Sequence, residues 1–193
     1  STVRATRAAS EHALVAAADL IRHNKYRRAI VIGFEPLLNM TLHGFASLLL
    51  YDPDSCRPFC KSRMGMQIGE GAACVVLDRA NDETRAGSRY TFAGGYLFSD
   101  NTSLTSAGTD GAMVDSVVRE ALRRADIRTD DIVAIKAHGT GTQDNDLSEG
   151  RGLVRVFGEK LPPVVSLKGA IGHQLGAAGA VETALWLSCL EAG

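Results

Sequence analysis

Cysteine, proline, tryptophan and long apolar runs are all scarce in this sequence, which has four Cys, five Pro and one Trp among 193 residues. No stretch of about 18 apolar residues occurs, and residues 1–7 lack the apolar segment of a signal peptide, so nothing indicates a membrane span or secretion. The 21 Lys+Arg nearly balance the 22 Asp+Glu, unlike the basic excess of nucleic-acid-binding proteins. A hydrophobic content of 45% excludes a disordered chain. We therefore expect a cytoplasmic globular protein.

The four cysteines do not follow a disulfide or zinc-binding pattern. Cys56 and Cys60 are separated by three residues, Cys74 and Cys189 lie in apolar runs, and no His stands at zinc-finger spacing. Reduced, mostly buried thiols are typical of intracellular proteins. The sequence therefore predicts neither a disulfide framework nor a metal site.

The cations are unevenly distributed, because 16 of the 21 are Arg and several cluster in residues 22–28. This cluster contains Arg22, Lys25, Arg27 and Arg28. It has two interpretations: a solvated helix end followed by a turn, or a surface that receives an acidic partner through planar Arg contacts.

Helix and strand patterns alternate along the whole chain. Leu14, Ala18 and Ile21 share one helical face, and Ala29–Gly33 is a short apolar run typical of a strand buried on both faces. The predicted helices cover about 8–22, 110–124, 146–157 and 175–191, and the predicted strands cover 29–33, 72–77, 90–98, 132–135 and 164–166. This alternation predicts an α/β fold with a mostly parallel sheet covered by helices.

Two segments place a His beside glycines directly after a predicted strand, where α/β sheets build their sites. They are residues 137–142, with His138, and residues 168–179, with His173 and, five residues earlier, Lys168. Neutral imidazoles donate an N–H to a carbonyl or enolate oxygen, so two converging rings would form an oxyanion site. Either His taken alone is also compatible with a hydrogen-bonded turn residue.

Other glycine-based motifs are incomplete. The third glycine of a dinucleotide fingerprint is replaced by Asp144 after Gly139-Thr140-Gly141, and by Cys74 after Gly69-Glu70-Gly71. The sequence has no Walker A loop, no H-E-x-x-H and no G-x-S-x-G. These absences argue against nucleotide binding and against a serine-hydrolase elbow.

Three ordered blocks of the sequence resemble the β-ketoacyl-acyl-carrier-protein synthases (ketosynthases) of fatty acid and polyketide biosynthesis, which have the thiolase fold. The first block runs from His138 to Glu149 and includes the family's N-D-x-x-E ending. The second runs from Lys168 to Glu182, and the third comprises Arg57-Pro58-Phe59, Arg63 and residues 69–72. Thiolases share the fold and a G-H-x-x-G element but not the first block.

The resemblance implies a decarboxylative Claisen condensation with an acyl carrier protein as partner. His138 and His173 would hold the thioester oxygen, and Lys168 would support them and pair with Glu182 or Glu149. The first block would also supply supporting residues: Thr140, Thr142 and Asp146. No metal or organic cofactor is implied, because the thioester carries the activation. The cluster at 22–28 would dock the acidic carrier protein.

The chain departs from the family pattern at several positions. Matching the N-terminal helix places the family's nucleophilic Cys at Arg7, and an Arg side chain is no thiol nucleophile. Cys60 stands where the family usually has Asp, and Met66 where it often has Phe. Relative to the family, about 1–80 would be the end of the N-terminal half and about 81–193 the C-terminal half. The 1–193 domain would then be incomplete at both ends, without the C-terminal Gly-rich loop.

These departures leave three hypotheses open. The chain is a Cys-less subunit, akin to a chain-length factor, that dimerises with a complete ketosynthase. Alternatively, it is a fragment of a catalytically complete 3-oxoacyl-acyl-carrier-protein synthase. The third hypothesis is a non-catalytic module for dimerisation and carrier-protein binding.

Overall fold

The computed structural model describes residues 9–80, 89–98 and 108–192. Contacts divide the chain into two units. The first unit comprises Ser1–Pro36, Glu70–Gly95 and Gln174–Gly193, and the second comprises Leu37–Gly69 and Tyr96–His173.

Helices and strands alternate as predicted over much of the chain, with two helices that the sequence did not predict, Asn39–Ser47 and Lys168–Ile171. In chain order they are α1 (Ala9–Arg22), β1 (Arg28–Glu35), α2 (Asn39–Ser47), β2 (Gly71–Asp78), α3 (Ala112–Ala125), β3 (Ile135–Lys136), α4 (Gln143–Phe157), β4 (Val164–Val165), α5 (Lys168–Ile171) and α6 (Ala178–Ala192). Short 3-10 turns cover Thr129–Asp131, Gly158–Lys160 and Leu175–Ala177. The α/β class predicted from the sequence is confirmed.

The described strands form two separate pairs. β3 and β4 are parallel, in keeping with the predicted parallel arrangement, with Ile135 opposite Val164. β1 and β2 instead run antiparallel, from Arg28 opposite Asp78 to Glu35 opposite Gly71. The apolar composition of β1 is typical of a buried strand, but it does not show whether the neighbouring strand runs parallel or antiparallel. Antiparallel strands also need no crossover helix between them.

The prediction of a strand at 90–98 is wrong for the described residues 89–98, which form no ladder. Residues 89–95 make side-chain and packing contacts within the first unit, whereas Tyr96 belongs to the second unit, where its ring centroid lies 4.5 Å from the Arg124 guanidinium carbon. The Tyr90 hydroxyl donates to the Leu187 carbonyl at 3.3 Å, and a Cβ on Gly95 would lie 2.8 Å from Val15. Aromatic and glycine residues thus hold the segment against α1 and α6 without backbone pairing.

The first unit buries one face of its sheet under helices. Leu14 and Ala17 of α1 pack on Val31 of β1 in its core. Gly33 allows α6 to approach β1 closely, since a Cβ there would lie 2.8 Å from the Cβ of Ala180. The opposite face of β1 is apolar and exposed, with Ile30, Ile32 and Phe34 61–70% exposed.

The second unit has its core under α4. Leu153, Val156 and Phe157 are buried there against residues of α3, β3 and β4. Gly152 is required for the packing of α3 on α4, because a Cβ there would lie 2.5 Å from the Cβ of Val114. Gly150, one position before Arg151 on the same helix, has no atom within 4 Å of its Cβ position.

Within the described ranges, no helix is both long enough and apolar enough to cross a membrane.

The two glycines of α4 make a matched pair for a stability test. We expect Gly152→Ala to lower the free energy of unfolding by about 1–3 kcal/mol, because the new methyl group overpacks Val114. Gly150→Ala should raise it by roughly 0.5–1 kcal/mol, because alanine loses less entropy in a helix and meets open space. Urea unfolding followed by circular dichroism measures both. Equal effects of the two substitutions would contradict this packing.

Candidate active site

The two histidines singled out in the sequence lie together in the second unit. Their ring centroids are 5.2 Å apart and the rings are nearly perpendicular, at 83°. His138 follows β3, whereas His173 is held by backbone contacts to residues 67–69: its N–H donates to the Gln67 carbonyl at 2.7 Å, and its carbonyl accepts from Gly69 N–H at 3.1 Å. Two segments distant in the chain thus present their imidazoles to one point.

Lys168 contacts both the backbone and the ring of His138. Its side chain is only 1% exposed. The ammonium Nζ donates to the His138 carbonyl at 2.8 Å and lies 3.3 Å from His138 Nδ1. β4 and Ser166 position this lysine, since the Lys168 N–H donates to Ser166 Oγ at 3.3 Å.

The Lys168 contact determines the tautomer of His138. An ammonium group has only donors, so His138 Nδ1 must accept the hydrogen bond. A neutral imidazole that accepts at Nδ1 carries its proton on Nε2. The remaining ring nitrogen of His138 is therefore a hydrogen-bond donor.

The surroundings keep this imidazole neutral. His138 is exposed to solvent, yet many protein atoms surround its ring. The loss of hydration lowers the His138 pKa well below its usual value, and the nearby positive charge of Lys168 and the His173 ring lower it further. At neutral pH the ring is thus a neutral donor.

Glu149 of α4 holds the backbone of the His138 turn. Its Oε1 accepts from the His138 N–H at 2.6 Å and its Oε2 accepts from the Gly139 N–H at 2.7 Å. Burial raises the pKa of Glu149, and the two amide hydrogen bonds act against that shift. The His138 peptide is consequently held on both sides, by Glu149 at the nitrogen and by Lys168 at the oxygen.

Asp146, one turn before Glu149, ties the loop of the third sequence block to the same turn. Asp146 Oδ2 accepts from the Phe59 N–H at 2.7 Å, and its Oδ1 accepts from the Gly141 N–H at 3.2 Å. Arg63 lies 3.7 Å from Asp146 and donates to the Gln143 carbonyl at 3.0 Å. The carboxylate therefore fixes backbone rather than pointing freely into the site.

The Thr and Gly residues after His138 form a tight, buried turn. Gly139 and Gly141 have φ values of +45° and +79°, and a Cβ on Gly139 would lie 2.5 Å from Ser166. The Thr140 and Thr142 hydroxyls are 2.8 Å apart and buried. Only glycine combines this left-handed backbone with such close packing.

The sequence also predicts roles for Glu182 and Arg7 in the site. Glu182 is buried, with 1% exposure, in the first unit. Arg7, at the predicted nucleophile position, lies outside the described residues. The roles given to these residues remain predictions.

The cluster at 22–28 is exposed and partly engaged. Arg28 pairs with Asp78 through two hydrogen bonds of 2.6 and 3.0 Å, and Arg22 pairs with Asp19 at 3.3 Å. Lys25 and Arg27 have no ion-pair partner among the described residues. Only these last two retain uncommitted charge for the predicted docking role.

One buried thiol contacts the turn that follows His138. Cys56 Sγ donates to the Thr140 carbonyl at 3.3 Å, and burial raises the pKa of its thiol. Cys60 is exposed, and a hydrogen bond with Ser62 lowers its pKa. Among residues 9–80, 89–98 and 108–192, no group of three or more His, Cys, Asp or Glu side chains could hold a metal ion.

Sequence reasoning did not predict the contacts of three positioning residues. Ser166 Oγ donates to the Gly139 carbonyl at 2.7 Å, Gln67 holds the backbone of His173, and Arg63 holds Asp146. The Arg63 block had been noticed only as a family resemblance. Neither Ser166 nor Gln67 stands at a spacing from the histidines that would have indicated the contact.

The fold and this site define a thiolase-fold α/β protein. The Beta-ketoacyl synthase N-terminal domain family matches residues 1–83, and the Beta-ketoacyl synthase C-terminal domain family matches residues 91–193. The chain belongs to the β-ketoacyl synthase family.

Relatives and solved structures agree with this membership. Nodulation protein E from Rhizobium sp. (strain N33) is 31% identical over 191 residues, which cover 96% of this chain and 47% of that protein. The ketosynthase in complex with its chain length factor from Xenorhabdus doucetiae is 35% identical, with a TM-score of 0.85, covering 94% of this chain and 44% of the matched one.

A structure of a type II polyketide synthase acyl-carrier protein in complex with its ketosynthase is also similar, with 27% identity and a TM-score of 0.85. The match covers 97% of this chain and 49% of the other. The chain thus spans about half the length of the relatives that it matches.

The neutral state of His138 gives a testable pH dependence. The unfolded chain binds a proton at this imidazole below about pH 6.5, whereas the folded chain does not until the pH is well lower. The contribution of His138 to stability is therefore present above that pH and is lost as the pH falls. We expect the urea midpoint to drop less between about pH 7.5 and pH 5 in His138→Asn than in the unsubstituted protein.

His43→Asn, at an exposed position of α2, is the control and should retain the full drop. The same pH dependence in the His138→Asn variant and the unsubstituted protein would show that the imidazole is not held neutral.

Proposed function

We propose that this chain is a ketosynthase-family subunit that supports the decarboxylative condensation of a malonyl thioester with an acyl chain. The observation that carries the proposal is the convergence of the His138 and His173 rings above the buried Lys168. Two neighbouring imidazoles that each donate an N–H to the same atom would provide the arrangement that a developing enolate oxygen requires.

The proposed chemistry starts with binding of the malonyl thioester carbonyl oxygen between the two imidazoles. The bond between the carboxylate carbon and the α-carbon breaks, and carbon dioxide leaves. The electron pair of that bond stays with the α-carbon and forms the enolate. Negative charge then collects on the oxygen that His138 and His173 hold. The Lys168 ammonium, 3.3 Å from His138 Nδ1, stabilises that charge through the neutral ring without giving up a proton.

Carbon–carbon bond formation needs an acyl group on a thiol, and this group is proposed to come from a partner. No thiol stands at the position of Arg7 in the sequence, and the buried Cys56 donates to a carbonyl. The enolate would attack the acyl thioester carbonyl, forming the new carbon–carbon bond and releasing the partner's thiolate. The ketosynthase and chain length factor complex among the similar structures supports a heterodimer, and a homodimer is the alternative.

An acyl carrier protein is proposed to deliver the malonyl group. The similar structure of a carrier protein with its ketosynthase supports this partner. Lys25 and Arg27 supply exposed positive charge for an acidic surface.

The matches to residues 1–83 and 91–193 support the division of the chain into the end of an N-terminal half and a C-terminal half. Cytoplasmic location remains a prediction from the sequence.

The other two hypotheses make different demands on the site. A fragment of a complete 3-oxoacyl-acyl-carrier-protein synthase would gain its nucleophile from the rest of that protein. A non-catalytic module would need neither imidazole. The buried Lys168 and the two-sided hold on the His138 peptide favour a site that acts chemically.

We expect the protein to decarboxylate malonyl-CoA at a rate that depends on both histidines. Replacing one oxyanion donor should lower the rate by about 10²–10³-fold, so His138→Ala and His173→Ala are predicted to show this loss. Formation of the acetyl thioester, followed by mass spectrometry, is the measurement. His43→Ala, an exposed histidine of α2, should keep the original rate. Unchanged decarboxylation in His138→Ala would refute the assignment.

We also expect that the chain forms no stable acyl-enzyme by itself and that a partner does. After co-expression with a Cys-containing ketosynthase and incubation with acyl-carrier protein, intact mass should show the acyl adduct on the partner only. Because Cys60 is exposed with a lowered pKa, a Cys60→Ser variant separates chemical acylation from catalysis. A stable adduct on this chain in the Cys60→Ser variant, or failure to co-purify with the ketosynthase, would contradict the partner hypothesis.

A further inference from the structure

A groove lies along the outer face of α4 in the second unit. Its cavity volume is about 750 Å³. The floor is apolar and accessible: Leu147, Val154 and Leu161 are 38%, 55% and 37% exposed. Phe59 lines it at the end where α4 begins. Exposed leucine and valine side chains gathered in one concave face are typical of a binding surface.

Gly150 lies in the middle of this groove and has no packing role in the described chain. A Cβ at Gly150 would meet no atom within 4 Å, whereas a Cβ at Gly152 would collide with Val114. A glycine inside a helix costs roughly 0.5–1 kcal/mol relative to alanine. Since no contact of the described residues requires Gly150, its backbone is open to the close approach of something outside the chain.

Arginines border the groove on the same helix. Arg151 and Arg155 are four residues apart and both exposed. Arg151 Nη1 donates to the Thr109 carbonyl at 2.8 Å, which holds its guanidinium at the groove. Two carboxylates also line the groove: Asp146 is paired with Arg63, whereas Asp110 accepts from the neutral Ala112 N–H, which does not offset its charge. The groove thus has an apolar floor, and at its border the two arginines outnumber Asp110.

We propose that this groove binds an acidic amphipathic helix of an acyl carrier protein, with apolar residues above Gly150 and carboxylates at Arg151 and Arg155. The proposal rests on the proposed function, which supplies the class of partner. Charge complementarity selects the occupant, because an acidic helix satisfies both arginines while its apolar face covers Leu147 and Val154. The cluster at 22–28 offers charge from a turn, whereas the α4 groove also offers an apolar floor and an open backbone.

The experiment measures the Kd of the full chain for a purified, phosphopantetheinylated acyl carrier protein by isothermal titration calorimetry. Arg151→Glu/Arg155→Glu should raise the Kd by about tenfold or more, because it places like charges against the acidic helix. Gly150→Gln should raise it by a similar factor, because the new side chain fills the space that the partner helix would occupy. Neither variant should lower the urea midpoint.

Two controls match these variants. Gly44→Gln changes another glycine of the second unit that has no atom within 4 Å of its Cβ position, and it should leave the Kd unchanged. Lys25→Glu/Arg27→Glu reverses charge at the competing surface and should raise the Kd less than the α4 double variant does. Sedimentation of the chain alone establishes whether the same face binds a second copy.

The outcomes separate this proposal from the proposed function, because malonyl-CoA decarboxylation requires no carrier protein. The three groove residues contact no group of the candidate site, so decarboxylation should be unchanged in their variants. Histidine-dependent decarboxylation without carrier binding, or carrier binding insensitive to Arg151, Arg155 and Gly150, would overturn the groove and leave the proposed function standing. Self-association abolished by the groove variants would assign the face to a second copy and overturn it equally. Carrier binding that depends on the groove, without any decarboxylation, would support the groove and count against the proposed function.

Discussion

A buried ammonium group is the constraint on which the polar residues of the second unit depend. Lys168 is 1% exposed, and removing a charged group from water costs several kcal/mol. The His138 carbonyl at 2.8 Å and the His138 ring nitrogen at 3.3 Å offset part of that cost. The same contacts fix the position, the tautomer and the neutral state of the ring. One desolvated cation therefore orders both the backbone and the imidazole of the candidate site.

The counterpart of this cation on the other side of the His138 peptide is a carboxylate. Glu149 accepts from two successive N–H groups, at 2.6 and 2.7 Å, in a turn whose glycines leave those groups pointing outward from β3. Such a two-sided hold preorganises the donor, so little reorganisation is needed when charge develops on a bound oxygen. The electrostatic balance is also suited to an anion: the neutral ring adds no repulsion, and the lysine behind it remains positive.

The sequence allowed the helices and the chemistry-bearing residues to be predicted better than the contacts between them. The apolar spacing of Leu14 and Ile21 predicted α1, and the His–Gly segments drew attention to His138 and His173, because both signals are local. The antiparallel register of β1 and β2 depends on pairing across more than thirty residues, which apolar composition does not encode. Residues 89–98 show the same limit, since their aromatic and glycine residues pack on helices instead of pairing as a strand.

Long-range backbone contacts explain why the site could be only partly predicted. Gln67 and His173 are joined by a 2.7 Å hydrogen bond between segments that no sequence spacing connects, and Asp146 reaches the Phe59 amide in the same way. The types of the residues indicated the chemistry, but their partners are backbone groups, which carry no residue-specific signal. The contact of Lys168 with the His138 carbonyl and ring became visible only in the folded chain, and its predicted pairing with Glu182 or Glu149 stays a prediction.

The helical period of α4 places residues that are neighbours in the sequence on two different faces of the helix. Glu149 holds the backbone of the His138 turn, and Asp146 and Leu153 are buried, whereas Leu147 and Val154 are exposed in the groove. A helix of 3.6 residues per turn directs successive side chains to different faces. The two faces meet at Asp146, which lines the groove and also accepts from the Gly141 N–H, so a partner in the groove would lie beside a residue that holds the turn. One helix can therefore present a rigid site on one side and a binding surface on the other.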